Sequence, residues 1–555
     1  MRQQIRAWLV FGIFALGVSS LVYGIATDNH KKKEQSPVNL LHSDKLYFDV
    51  RINPLAQFLV GNVQFEHDGA YMYCDSALFY KESNSFDAFG HVRMVQGDTL
   101  TLTGDMLFYD GDPQVLRARV RENVVLTHRN SVLYTDSLDY DRIEGKGYFF
   151  DGGRLEDEQN RLESEWGEYT PSTREAVFNY NVLLQNPRPP QPVKSTLITD
   201  TLHYNTRTGV AIAKGPSNID NAENHIYTEH GIYDTKNKEA FLLNRSMLQN
   251  GYRTLEGDSI YWNEGERLGK AFGDAYYKDT LNKNIFLGNY VLYNDSTGYA
   301  EAADSALLID YSQQDTLYAH ADSFFLYTRH INTDSVYRDL HAYHHFRAYR
   351  KDIQAVCDSL VYHGKDSCGI MYKDPIVWQQ GQQLLGEEIR AWHNDSTMDS
   401  AYVIRQALSV EQLDQKNYNQ IASDEIRTYF RDGEIHLMVA DRNVYVNYFP
   451  FDDDSLMIGM NHVESARMKM WMNNRKVSRI WMPQATGTMY PLAQVPADVL
   501  FLSNFAWFDY VRPLSPEDVF VWRPKKKGTD LKPTVREKAP RQSLQDIKEG
   551  KRKKK

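Results

Sequence analysis

The sequence predicts an all-β protein, an elongated solenoid-like stack of antiparallel strands built from repeats of about 30 residues. Two recurring phrases and one missing periodicity predict it. The first phrase is an acidic residue, an apolar residue two positions on and a large side chain two beyond. It runs through Asp44-Leu46-Phe48, Asp75-Ala77-Phe79, Asp105-Leu107-Tyr109, Asp136-Leu138-Tyr140, Glu165-Gly167-Tyr169, Asp200-Leu202-Tyr204, Glu229-Gly231-Tyr233 and Asp258-Ile260-Trp262. It continues through Asp304-Ala306-Leu308, Asp322-Phe324-Leu326 and Asp358-Leu360-Tyr362, then loosens at Glu388-Arg390-Trp392 and Glu425-Arg427-Tyr429. A spacing of two puts all three side chains on one face of an extended strand. The second phrase is a Gly or Asn followed by alternating apolar residues, as in Gly61-Asn62-Val63-Gln64-Phe65, Gly90-His91-Val92-Arg93-Met94, Asn123-Val124-Val125-Leu126 and Gly288-Asn289-Tyr290-Val291-Leu292. Gly and Asn suit a bend, so each repeat carries two strands. No long stretch between Asp44 and Asn447 sustains apolar residues at helical spacing.

In chain order, Met1 to Arg6 is short and basic, and Ala7 to Ala26 is uncharged and apolar. Residues 1–26 are an export element, either a signal peptide cleaved near Gly24-Ile25-Ala26 or an N-terminal anchor of the minimum spanning length. Lys31-Lys32-Lys33 beyond it weakens the positive-inside asymmetry and favours cleavage. A linker, 27–42, leads into repeats over 43–186 and further repeats over 187–447. Between them Asn186-Pro187-Arg188-Pro189-Pro190-Gln191-Pro192 reads as a long loop, the alternative being a junction of two modules. Residues 448–522 change character: a hairpin over Glu464–Met482 turns at Asn473-Asn474, with Met468, Met470 and Met472 alternating. An aromatic segment, Phe501–Tyr510, then caps the last rung or docks a partner. The tail, 523–555, holds 14 Lys and Arg against 4 Asp and Glu and almost no apolar residues, so it is read as disordered.

Composition narrows the function classes. The formal net charge is −10 although the tail is strongly basic, so the body is acidic; that and the export element disfavour nucleic acid. Cys74, Cys357 and Cys368 are too few for a disulfide framework; Cys74 reads as a buried thiol, while Cys357 and Cys368 could pair across a hairpin. His341, His344 and His345 cluster without a cysteine at ligand spacing, so no metal site and no cofactor is expected. The repeated acids invite a catalytic reading, but a catalytic pair is needed once. A carboxylate at one phase of a structural period reads as a turn or strand-end acceptor of backbone N–H groups, so no catalytic residue and no enzyme activity are expected.

The residues from Asp44 to Phe48, Gly61-Asn62-Val63, Asp75 to Tyr80 and Ala88-Phe89-Gly90-His91-Val92 resemble the OstA/LptA lipopolysaccharide-transport family, most clearly over Ser43 to Tyr140 and recognisably to Tyr362. The chain is far longer than the small single-domain members and is similar to the extended OstA-like periplasmic proteins. The resemblance implies a β-jellyroll whose two sheets splay into a greasy groove. Leu46, Phe48, Val63, Phe65, Phe79, Leu107, Tyr109, Leu138, Tyr140, Leu202 and Tyr204 would then line it against acyl chains. It also implies a periplasmic protein that carries or bridges lipopolysaccharide toward the outer membrane. Inner- and outer-membrane transport components would dock on its edge strands, and the basic tail would touch anionic lipid. Two other readings stay open: a structural or adhesive β-repeat protein with a dry core, and a β-helix polysaccharide-processing enzyme with a unique acidic cluster.

Overall fold

Left-handed bends in the middle of alternate strands decide the architecture. The computed structural model describes residues 36–531, except 189, 380, 395, 396, 453, 455, 474, 475 and 530. Residues 1–26, expected to be an export element, and nearly all of the basic tail lie outside the described residues. The chain divides into two compact units: Met1–Glu158 with Glu165–Arg174, and Gln159–Ser164 with Glu175–Lys555.

In the first unit, strands Gln57–His67, Ala70–Tyr80, Ser85–Gln96, Leu100–Asp110, Arg117–His128 and Ser131–Asp141 pair in sequence, each antiparallel to the last. Short edge strands Asn39–His42 and Lys45–Tyr47 both pair with Gln57–His67. Every second strand carries two consecutive residues of positive φ at its centre: Gly61 and Asn62 (85° and 47°), Gly90 and His91 (76° and 44°), Glu122 and Asn123 (63° and 52°). The ladder register slips at each of these points. A two-residue bulge turns the strand and shifts its alternation, so the halves on either side belong to two sheets with facing interiors. Phe65, after one bend, stacks on Phe86, before the next, with ring centroids 4.1 Å apart.

The second unit repeats this arrangement. Strands from Glu175–Asn186 to Ile353–His363 again pair in sequence, with bends at Tyr180 and Asn181, Asn244 and Arg245, Gly273 and Asp274, and His344 and His345. The proline-rich stretch is the loop joining the paired strands Glu175–Asn186 and Ser195–Asn205. One rung departs from the sequence reading. Gly288-Asn289 was expected to bend and Asp304 to be the phrase acid, but the positive-φ pair is Asp304 and Ser305. Strict hairpin alternation forces the exchange: Gly273 bends the strand before, so the next bend falls one strand later, where Gly288 leaves room beside the Ala303 carbonyl.

Registered rows of side chains fill the interior, and large residues alternate with small ones. In the second unit one row runs Tyr204, Ala211, Tyr233, Ala240, Trp262, Gly269, the phrase strands supplying the bulk and the bend strands the space. Such alternation lets adjacent strands interdigitate at native packing density.

Strands Gly459–Asn473 and Lys476–Trp481 pair antiparallel, with Met468 and Met470 buried; Asn474, of the expected turn, lies outside the described residues. The aromatic segment does not cap the last rung. It runs back as a strap across the outer face of one sheet, where Leu502, Phe508 and Val511 pack on Val356, Ile376, Trp378, Leu385, Leu408 and Val410. The reason is a row of fully or almost fully buried polar side chains on that face: Asn447, Gln420, Gln383, Gln354 and Arg347. Asn447 donates to the Val499 carbonyl, Gln420 to that of Leu500, Gln383 to that of Ala506 and Arg347 to that of Val511, at 2.8–3.0 Å. Buried polar groups need such partners, and the strap backbone supplies them.

Candidate functional site

The repeated acids sit beside the bends. Asn62 donates to Asp44 (3.0 Å) and Asn123 to Asp105 (2.6 Å), while His91 lies 2.7 Å from Asp75 and His345 3.0 Å from Asp322; in the loosened last copy Asn443 donates not to the expected acid Glu425 but to Asp424 beside it (3.1 Å). Each carboxylate thus ties a phrase strand to the second residue of a neighbouring bend. The partners are side-chain N–H groups rather than the expected backbone ones, because the bend turns its second side chain toward the acid. The histidine cluster divides the same way: His344 faces Asp358 and His345 faces Asp322, on opposite neighbouring strands.

Nine of the eleven residues expected to line a lipid groove are buried on the inner faces: Val63, Phe65, Phe79, Leu107, Tyr109, Leu138, Tyr140, Leu202 and Tyr204. In the first unit they meet one another. Leu107 and Leu138 are both registered with Val120, and Phe79, Phe86 and Tyr109 share the next row. Leu46 and Phe48 differ, at 53% and 58% exposed. Leu46 is registered with buried Leu59, yet it sits on an edge strand that no other described residue covers. The three cysteines are free and buried. Cys357 and Cys368 do not face each other: Cys368 opposes His363, six residues beyond Cys357, or about 20 Å along the strand. Burial pushes the Cys74 thiol up to about 12, so it is inert near neutrality.

The sequence reading missed an apolar cavity of about 450 Å³ in the second unit. One sheet contributes Leu308, Leu317, Ala319, Phe346 and Ile353; the other contributes Leu340, Leu360, Gly369, Ala391 and Met398. A smaller space of about 100 Å³ shares Ile353, Ala391 and Met398 as walls and continues along Val377, Leu384, Ile389 and Met438. The cavity lies where the large-small alternation lapses: in the row that upstream holds Tyr and Trp, Leu326 and Leu340 stand between Ala300 and Tyr362. Its rim is polar, with Asp310, Ser312, Gln313, Asp315, Arg350, Tyr362, His393 and Thr397. Arg350 donates to Gln313 (2.9 Å) and to Asp352; Tyr362 is 2.7 Å from His393 Nε2, and burial raises its hydroxyl pKa. The volume falls within the range of ordinary ligand pockets, and a greasy wall with a polar lip suits an amphiphile. Among the described residues, no group of three His, Cys, Asp or Glu could hold a metal ion, and no helix is long and apolar enough to cross a membrane.

Residues 35–189 match the family model described as OstA-like protein. The chain carries an OstA-like region. That region begins just before the first edge strand and ends in the proline-rich loop, so the cavity lies outside it. Solved structures similar to the chain include the crystal structure of LptH, the LptA-homologous periplasmic component of the lipopolysaccharide transport device from Pseudomonas aeruginosa. It is 13% identical over 20% of this chain and 74% of that one, with a TM-score of 0.17. No curated protein matches the sequence. Beyond the OstA-like region, the fold rests on the strand ladders themselves.

Proposed function

We propose that this OstA-like protein is a periplasmic carrier of lipopolysaccharide, passing it toward the outer membrane without catalysing a reaction. The observation that carries this reading is the parting of two apolar inner faces around a cavity with a polar rim. Acyl chains would lie against Leu308, Leu360 and Met398 while the sugar stays in water at the rim. Each buried methylene is worth about 0.8 kcal/mol, so affinity requires no charged group inside. Phe65, Phe79, Leu107, Tyr109, Leu138 and Tyr140 are packed against one another; acyl chains reach them only when the sheets separate. Residues 7–26 would export the chain, transport components would pair with the exposed edge strands bearing Leu41, Leu46 and Tyr47, and the basic tail would rest on anionic lipid.

The test is photo-crosslinking in cells. A photoreactive residue at Leu360 is expected to give lipopolysaccharide adducts, and one at outward-facing Phe108 none. Absence of adducts at Leu360 in a folded, exported protein would move the assignment to a structural β-repeat protein, a reading favoured by the stacked rings of Phe65, Phe86 and Tyr109 in the first unit.

A further inference from the structure

The two sheets meet along a seam where the hairpin turns of one face those of the other, and in the second unit polar bridges cross it. Glu223, in the turn before Asn224–Asp234, pairs with Arg267, in the turn before Leu268–Asp279, at 2.9 Å. Asn221 reaches Glu264 at 3.4 Å. Arg253 pairs with Asp295 across the seam and lies 3.6 Å from Asp279 in its own sheet. This last bridge is largely dry: the side chains of Arg253, Asp279 and Asp295 are 16%, 7% and 21% exposed. The guanidinium lies over the rings of Tyr252 and Tyr293, at 4.5 and 4.8 Å, and the Tyr293 hydroxyl donates to Asp295 at 2.6 Å. Burial works to raise the Asp295 carboxyl, but the Tyr293 hydroxyl and Arg253 outweigh it and hold it below the ordinary carboxylate range. Among the described residues, Arg253–Asp295 is the last of these bridges in chain order. The turns beyond it, with Ser312, Gln313 and Asp315 on one side and His393 and Thr397 on the other, form the lip of the cavity.

We infer that the bridged seam is a latch, holding the interior shut from Asn221 to Asp295, and that the unlatched lip beyond it is the port through which an acyl-bearing amphiphile enters sideways. This rests on the proposed lipid-carrier function and adds where the lipid gets in. Its head would remain at Arg350, Gln313 and His393. Passage upstream requires separating the Arg253–Asp295 pair, which leaves a buried charge without a partner and is therefore opposed. The latch makes the cavity a terminus in the resting state and a doorway when the seam opens.

The experiment uses the purified full chain with lipopolysaccharide and a photoreactive residue at Leu360, in the cavity, or at Leu248, buried on the inner face behind the latch. With the latch intact, adducts are expected at Leu360 and at least tenfold fewer at Leu248. With Arg253→Met, which keeps length and removes the charge, adducts at Leu248 are expected to rise toward those at Leu360. Asp295→Asn, close to isosteric, serves if Arg253→Met melts early. Equal adducts at both positions in the intact protein, or no rise at Leu248 in a folded latch variant, overturn the latch and leave the carrier reading standing. No adducts at either position overturn the carrier reading itself.

Discussion

Asp75 faces Gly90 and His91 across a bend of two residues with positive φ. Gly90 has φ +76°, and a Cβ there would lie 2.4 Å from the Asp75 carboxylate, so the acid's place beside the bend depends on glycine. His91 then projects toward the same carboxylate. That hydrogen bond and the opposite charge raise the imidazole pKa above its ordinary 6.5. With the folded value above the unfolded one, the contribution to stability is fully present below pH 6.5 and is lost as pH rises through the folded pKa. An NMR titration is expected to place His91 above 6.5, and Asp75→Asn to bring it back down; an unchanged midpoint in the variant would sink this assignment. The period was legible at this scale, because a carboxylate and a Gly or Asn recur. The partner was not, since which side chain a bend presents to the acid depends on backbone angles that the residue types leave open.

Among the elements, the strap shows how far patterning reaches. Its aromatic run marks it as something that packs. What it packs on is decided by Gln354, Gln383 and Gln420, which in sequence look like ordinary strand polar residues. Gln420 donates to the Leu500 carbonyl and accepts from the Leu502 N–H, both at 2.9 Å, and is fully buried. Gln420→Ala leaves the Leu502 N–H without a partner, at roughly 1–3 kcal/mol, while the Leu500 carbonyl keeps only Asn447, at 3.2 Å. The expected result is a lower urea midpoint, with hydrogen exchange of residues 499–512 accelerating ahead of the strands beneath. Uniform acceleration would mean instead that strap and sheet unfold as one cooperative unit. The exchanged bend at Asp304 makes the same point from another side. Gly288-Asn289 has the right composition for a bend, but strand order assigns it to the straight partner.

For the whole molecule, function turns on whether the inner faces touch or part. In the first unit Phe65 stacks on Phe86 and Phe86 on Tyr109, whereas in the second the faces separate around Ala319, Gly369 and Ala391. Ala391 borders both the cavity and its extension, so Ala391→Phe is expected to fill them and weaken lipopolysaccharide binding at least about tenfold, or 1.4 kcal/mol. A binding assay with purified lipopolysaccharide, beside a melting curve showing a folded protein, decides it; unchanged affinity would place the lipid elsewhere. By itself the sequence determined the all-β class, the repeat and the inward set Leu107, Tyr109, Leu138, Tyr140, Leu202 and Tyr204, because strand periodicity is local and a buried face must be apolar. Only the tertiary structure decided that Leu46, on an edge strand, and Phe48, just past it, are exposed and that the strap lies across a sheet. It alone also showed that the cavity opens around Leu308 and Leu360. A void is the space left between side chains from strands up to about a hundred residues apart, and no local pattern records whether their volumes sum to a filled core.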